Sequence, residues 1–263
     1  MIKHIIPYTT GFVNLFFSIL SGMIHISYTE RSKTMKTIFL SPSDLAFLYQ
    51  ESTWGFYQKY TSNIKRPPVI IPKVFTTIDV LTKMTFSNKS MASFDKSFPD
   101  GLLVDADKWV KSKTITNPEF PNIEVGVRGK IDGLLKFSDS THSVIDFKTC
   151  EISQETLSKY IMQLSCYSYA LRYPNSSSDY SAIVNDKVGL FVFQPTTFDM
   201  KEDGKANLGG DFKYVEYPWS EEDFVKFISE KIIPLLSGKE PMPNEKDPCW
   251  VYLKQFGFEY EEE

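Results

Sequence analysis

From residue 35 onward the apolar positions switch between two periods, and the switches outline the elements. Residues 41–44 (SPSD) offer capping side chains ahead of an aromatic-rich run, 45–60, which the pattern predicts as a helix. Pro67 and Pro68 then break the chain. Residues 74–85 set Val74, Ile78, Leu81 and Thr85 at helical spacing. Residues 86–118 are polar and weakly periodic, with a Pro-Asp-Gly turn at 99–101, and read as loops with a short helix around Trp109. The centre differs: residues 124–137 (EVGVRGKIDGLLKF) alternate and are rich in branched side chains, as strands are. Residues 138–141 read as a hairpin turn and 143–148 (SVIDFK) as the second strand. A helix is expected over 156–171, where Leu157, Ile161, Leu164, Ser168 and Leu171 fall on one stripe. Residues 188–194 (VGLFVFQ) are almost wholly apolar, the mark of a strand buried on both faces. A flexible glycine-bearing loop at 199–210, a strand at 213–217 and a Ser220-capped helix reaching Leu236 follow. The tail beyond Pro241 reads as irregular, ending in solvated acids at 261–263. This order predicts an α/β fold, a central mixed sheet flanked by helices, in one domain over residues 35–263.

Residues 1–34 stand apart as an N-terminal extension. Residues 12–26 are apolar between Lys3 and Arg31, as in a secretory signal. They fall short of the roughly 20 apolar residues of a spanning helix, and Asn14 and His25 interrupt them. Upstream sequence ahead of a start at Met35 and a genuine structural element are the other readings. No stable membrane association is expected.

Composition narrows the function classes modestly. At 42% hydrophobic and 24% charged, the 263 residues are those of a globular chain. The net charge of −4 supplies no general affinity for nucleic acid, so such binding must rest on a local patch. Arg128, Lys130, Lys148, Lys159 and Arg172 are the candidates for it. The three cysteines are widely spaced, without the clustering of a structural zinc site. A reducing, cytoplasmic setting is the simplest expectation.

The chemistry concentrates in the predicted hairpin. Asp132 falls on its first strand and Asp146 on its second, with Lys148 two residues further. Strand side chains alternate, so Asp146 and Lys148 share a face while Ile145 and Phe147 point away. A carboxylate and an ammonium among Val144, Ile145 and Phe147 are costly to bury without a purpose. Two acids suit a hard cation such as Mg²⁺, with the Phe147 main-chain carbonyl as a further ligand. Such a site fits phosphodiester hydrolysis, with Lys148 assisting hydroxide formation or countering transition-state charge. The bland alternative is a salt bridge on a strand. His142, on the hairpin turn, is read as an ordinary exposed histidine.

Three stretches in order, GKIDG at 129–133, VIDFKT at 144–149 and QLSCY at 163–167, resemble the RecB-like exonucleases of the PD-(D/E)XK superfamily, relatives of the CRISPR-adaptation nucleases. LSPSDL at 40–45 is similar to the opening of many such domains. The resemblance implies a restriction-endonuclease-like core and a Mg²⁺- or Mn²⁺-dependent nuclease acting on DNA in repair, recombination or phage biology. Asp132, Asp146 and Lys148 would form its centre, with Gln163 and Tyr167 orienting the DNA backbone and active-site groups. Relatives often place a His or Glu ligand on an early helix; here Asp79, the only acid of 74–85, is the candidate. An iron–sulfur cluster, which some relatives hold on four cysteines, is not expected from three. The competing reading from another class is a catalytically inactive nucleic-acid-binding or scaffold module on the same fold. A restriction-type endonuclease is a third.

Overall fold

The computed structural model describes residues 35–65, 70–151 and 153–255. The N-terminal extension of residues 1–34, the Pro67-Pro68 break and the acidic end all lie outside them. β1 (Lys36–Leu40) leads into a π-helical turn (Asp44–Leu48), then α1 (Tyr49–Glu51) and α2 (Thr53–Thr61). The single helix expected over 45–60 is interrupted at Ser52, whose extended backbone lets its hydroxyl accept from the Gly55 amide at 2.7 Å. A capping side chain thus starts a second helix inside an otherwise helical pattern. α3 (Lys73–Phe86) lies where expected, yet Val74 and Leu81 of its apolar stripe are more than half exposed and only Phe86 is buried.

β2 (Leu102–Val104), β3 (Trp109–Lys111) and β4 (Ile115–Thr116) occupy the stretch expected as loops and a short helix. Strands of two or three residues carry no readable period; longer neighbours hold them by antiparallel pairing. The strand expected over 124–137 is two, β5 (Ile123–Lys130) and β6 (Gly133–Lys136), in different sheets. β1, β5 and β3 form one sheet, in which β4 also pairs with β5. The second sheet runs β2-β6-β7-β8-β9, with β7 (His142–Thr149), β8 (Val184–Met200) and β9 (Ala206–Pro218). Both are mixed: β1 lies parallel to β5 and β7 to β8, and the remaining pairs are antiparallel. The fold is α/β, with the expected sheet divided in two. Alternation reports which face a residue takes, not which strand it bonds to, so the change of partner at residues 131–132 left no trace in the pattern.

α4 (Gln154–Arg172) connects β7 to β8, as a crossover between parallel strands requires. Every residue from Leu164 to Leu171 is buried, not a single stripe, because α4 packs on both sheets and on the helices at each end of the chain. The main core gathers around it, with Val144, Val188, Leu190 and Val192 from one face of the second sheet. The opposite face carries an aromatic core of Phe86, Phe98, Phe147 and Phe191 with Leu103, Leu135 and Ile145. The expected loop at 199–210 is instead mostly the end of a long β8–β9 ribbon, with a bulge between Pro195 and Thr197. Two of its glycines serve close approach: a Cβ on Gly210 would lie 2.2 Å from the Gln194 carbonyl oxygen.

The helix after Ser220 is α5 (Glu221–Phe227) and α6 (Ile233–Ser237) around a π-helical turn (Ile228–Ile232), with Pro234 in the first turn of α6. The tail contains α7 (Pro248–Lys254), capped by Asp247, whose carboxylate accepts from the Cys249 and Trp250 amides at 2.9 and 3.2 Å. The Asp-Pro start signal was legible there, but seven residues gave too short a period. Among the described residues no helix is long and apolar enough to cross a membrane.

Candidate active site

β7 behaves as its alternation demands. Ile145 and Phe147 enter the aromatic core, and Asp146 and Lys148 take the other face beneath α4. Asp146 is 2% exposed, and its Oδ2 meets the Lys148 ammonium in an ion pair with no further hydrogen-bond donor among the described residues. Asp132 arrives differently from expectation: it is not on a strand but at the bend where the chain leaves β5 for β6. β6 pairs with β7 only as far as Gly133 opposite Ile145, so the next stretch of that edge is open. Asp132 fills it, its Oδ2 accepting the Phe147 amide at 3.4 Å. The N–H and C=O of one strand residue leave by the same edge, so the Phe147 carbonyl lies on the side that carries Asp132.

The two carboxyls shift each other's acidity in opposite directions. Burial, reinforced by the Asp132 charge, pushes Asp146 up to about 8 despite Lys148. Burial also raises Asp132, but the neighbouring Asp146 carboxyl and the charges of Lys148 and Lys83 outweigh it and hold this carboxyl below its ordinary value. The pair therefore shares its negative charge, with Asp132 the more acidic partner. Burial would lower Lys148, but Asp146 and Asp132 keep it firmly protonated. Its ammonium sits 5.0 Å from the centre of the Tyr160 ring, which fixes the side chain from the α4 side.

The glycine of GKIDG has a steric reason. A Cβ on Gly129 would lie 2.8 Å from Pro42 Cδ and 2.9 Å from Tyr167 Cε1. The Pro42, Gly129 and Tyr167 segments thus meet at one point, three residues before Asp132. Tyr167 is buried, and its hydroxyl is pushed up to about 12 by burial, with Asp146 and Asp132 adding to the shift. Gln163 lies half-buried one turn earlier, its amide 3.5 Å from the Tyr167 hydroxyl. Gly133 is as constrained: a Cβ there would lie 2.7 Å from Leu103 Cδ1.

Asp79 does not touch the central pair directly. Lys83, one turn further along α3, stands between them, with its ammonium 3.0 Å from Asp79, 2.8 Å from Asp132 and 3.5 Å from Asp107. Sequence reasoning missed Lys83, Asp107 and Tyr160. The signal for Lys83 was its i+4 spacing from Asp79; Asp107 and Tyr160 carried none. Of the five basic candidates, Arg172 is tied to Glu221 and Asp186, and Lys159 to Glu155. Arg128 and Lys130 share the exposed face of β5.

Among the described residues no group of three or more His, Cys, Asp or Glu gathers as a metal cage. The Asp132 and Asp146 carboxyls, with the Phe147 main-chain carbonyl, do fit a hard divalent cation that keeps several waters. No disulfide links Cys150, Cys166 and Cys249. No protein-family model matches the chain, and no curated protein matches it. Among solved structures, that of SSO0001 is similar at 13% identity over 82% of this chain and 81% of its own, with a TM-score of 0.36.

Proposed function

We propose that the protein is a metal-dependent nuclease of the PD-(D/E)XK type, hydrolysing phosphodiester bonds of DNA, and that it works in the cytoplasm as an exonuclease. One observation carries the reading: Asp132, from a separate segment, accepts the Phe147 amide at 3.4 Å, between Asp146 and Lys148, whose side chains share one strand face. Burying this set is expensive, and a structural role would be met more cheaply by apolar residues.

In this reading Asp132, Asp146 and the Phe147 carbonyl hold Mg²⁺ or Mn²⁺. When bound, the cation supplies Lewis-acid neutralisation of the phosphate and eases deprotonation of the attacking water. Asp146 would have to be ionised to serve as a ligand. Lys148, clamped by Asp146 and Tyr160, presents a fixed positive charge to the scissile phosphate. Tyr167 and Gln163 hold the segment that delivers Asp132, and the Gln163 amide faces the DNA backbone.

A second reading has one observation in its favour. Lys83 and Lys148 already counter Asp132 and Asp146, as a metal-free binding or scaffold module would need. Degradation of end-labelled linear and circular DNA in Mg²⁺, Mn²⁺ or EDTA separates the two. Metal-dependent loss of linear DNA is expected, reduced on the order of 10²–10³-fold or more in Lys148→Ala. Intact DNA in every metal, from a folded protein that still binds it, would replace the nuclease reading with the binding module.

A further inference from the structure

The solvent face of the first sheet carries a ladder of aromatic and basic side chains that ends at the candidate site. Trp109 and Lys130 are directly opposite on β3 and β5, as are Lys111 and Arg128, so all four project from one face. The intervening Val110 points the other way and is buried. Arg128 lies over the Trp109 ring at 5.4 Å from its centre. Lys111 caps the Phe39 ring at 4.1 Å, and Phe39 lies across Gly126, where a Cβ would come within 2.6 Å of it. The succession across the face is Phe39, Lys111, Arg128, Trp109, Lys130. Lys130 then pairs with Asp107 at 3.0 Å, which in turn faces Lys83 and so Asp132. The acid on this face beside Phe39, Glu124, accepts hydrogen bonds from Thr37 and Thr114 at 2.6 and 2.8 Å, at the end away from the site.

Trp109 is 61% exposed on a strand of three residues. A large apolar ring left in water between cations contributes little to the fold, yet it offers a stacking surface with phosphate-binding charge on either side. The net charge of −4 makes this concentration of positive charge a local feature of the chain. Unstacked bases of a single strand can lie on such rings, whereas a duplex keeps its bases turned inward. On the basis of the nuclease reading, we infer that this face is the path of single-stranded DNA to or from the active site. A base stacks on Trp109, and Lys111, Arg128 and Lys130 hold the backbone. The stacking is indifferent to sequence, because every base has a π-face.

The test is binding, measured apart from cleavage: fluorescence anisotropy of a labelled oligothymidylate of about 12 nucleotides in EDTA. Comparison proteins are Trp109→Ala, Trp109→Phe, Arg128→Ala and, on the second sheet, Lys187→Ala, each checked for an unchanged melting temperature. Trp109→Ala should weaken binding by about 5- to 100-fold, with Trp109→Phe retaining most of it and Lys187→Ala unchanged. Arg128→Ala should also lower the salt dependence, by about 0.7 in the slope of log K against log salt. Single-strand binding that survives Trp109→Ala and Arg128→Ala would overturn the inference while metal-dependent cleavage leaves the nuclease reading standing. Exclusive binding of duplex, or no binding of DNA at all, would overturn it as well; absence of cleavage beside intact Trp109-dependent binding would remove only the nuclease reading.

Discussion

Asp146 is the residue on which acidity and stability converge. Burial lifts its pKa to about 8, whereas an unfolded chain ionises it near 3.8. Between those values the unfolded state has lost its proton and the folded state has kept it, so this carboxyl's contribution to stability drains away as pH rises. Asp146→Asn is neutral at every pH and removes the dependence. In denaturant titrations with EDTA, the stability advantage of Asp146→Asn over the unmodified protein should be larger at about pH 8.5 than at about pH 5. Equal gaps at both would contradict a protonated, buried Asp146. Gly129 acts by absence. A methyl there must displace Pro42 or the buried Tyr167 ring, both under 3 Å from its place. Gly129→Ala should cost about 1–3 kcal/mol, and should lower activity more than a matched destabilisation elsewhere, because the Asp132 bend follows three residues on. Wild-type kinetics from a melted-down but active variant would refute that. The Asp-x-Lys spacing was enough to put Asp146 and Lys148 on one strand face, because strand alternation is a local rule. Lys83 was not legible as their neighbour, since nothing in residues 73–86 states which strand that helix meets.

At the scale of elements, capping residues explain where helices begin more reliably than periodicity does. Ser52 restarts a helix within an apparently continuous pattern, and Asp247 starts one in a tail that reads as irregular. α7 sets Cys249 against Gly55 and Trp250 edge-on to Trp54 at 5.4 Å. Asp247→Ala removes the acceptor for two amides and should cost about 0.5–2 kcal/mol in chemical denaturation. A change within error would mean that packing of those aromatics, and not the cap, holds the segment. The short strands β2, β3 and β4 were illegible for the opposite reason: their conformation comes from pairing partners distant in sequence, and they lack the length to show a pattern of their own.

For the whole molecule, the second sheet separates two cores, and β7 carries the candidate site between them. Phe191 is fully buried in the aromatic core, 5.6 Å from Phe147 and 5.5 Å from Phe98 between ring centres. Phe191→Ala should cost about 3–5 kcal/mol and broaden the unfolding transition of the sheet that bears Asp146, as followed by calorimetry. A loss under about 1 kcal/mol would mean the site does not depend on this layer. The sequence by itself determined the local facts: the β7–α4–β8 unit, the face shared by Asp146 and Lys148, the one-turn spacing of Gln163 and Tyr167, and a core rich in aromatic rings. These follow from side-chain period and capping chemistry, which act over a few residues. Only the tertiary structure decided that residues 124–137 divide between two sheets at Asp132, that Lys83 stands between Asp79 and the central pair, and that Trp109 lines up with Arg128 and Lys130. Each of those depends on which segments pair across the chain. Alternation leaves that open, and burial of the two cores resolves it.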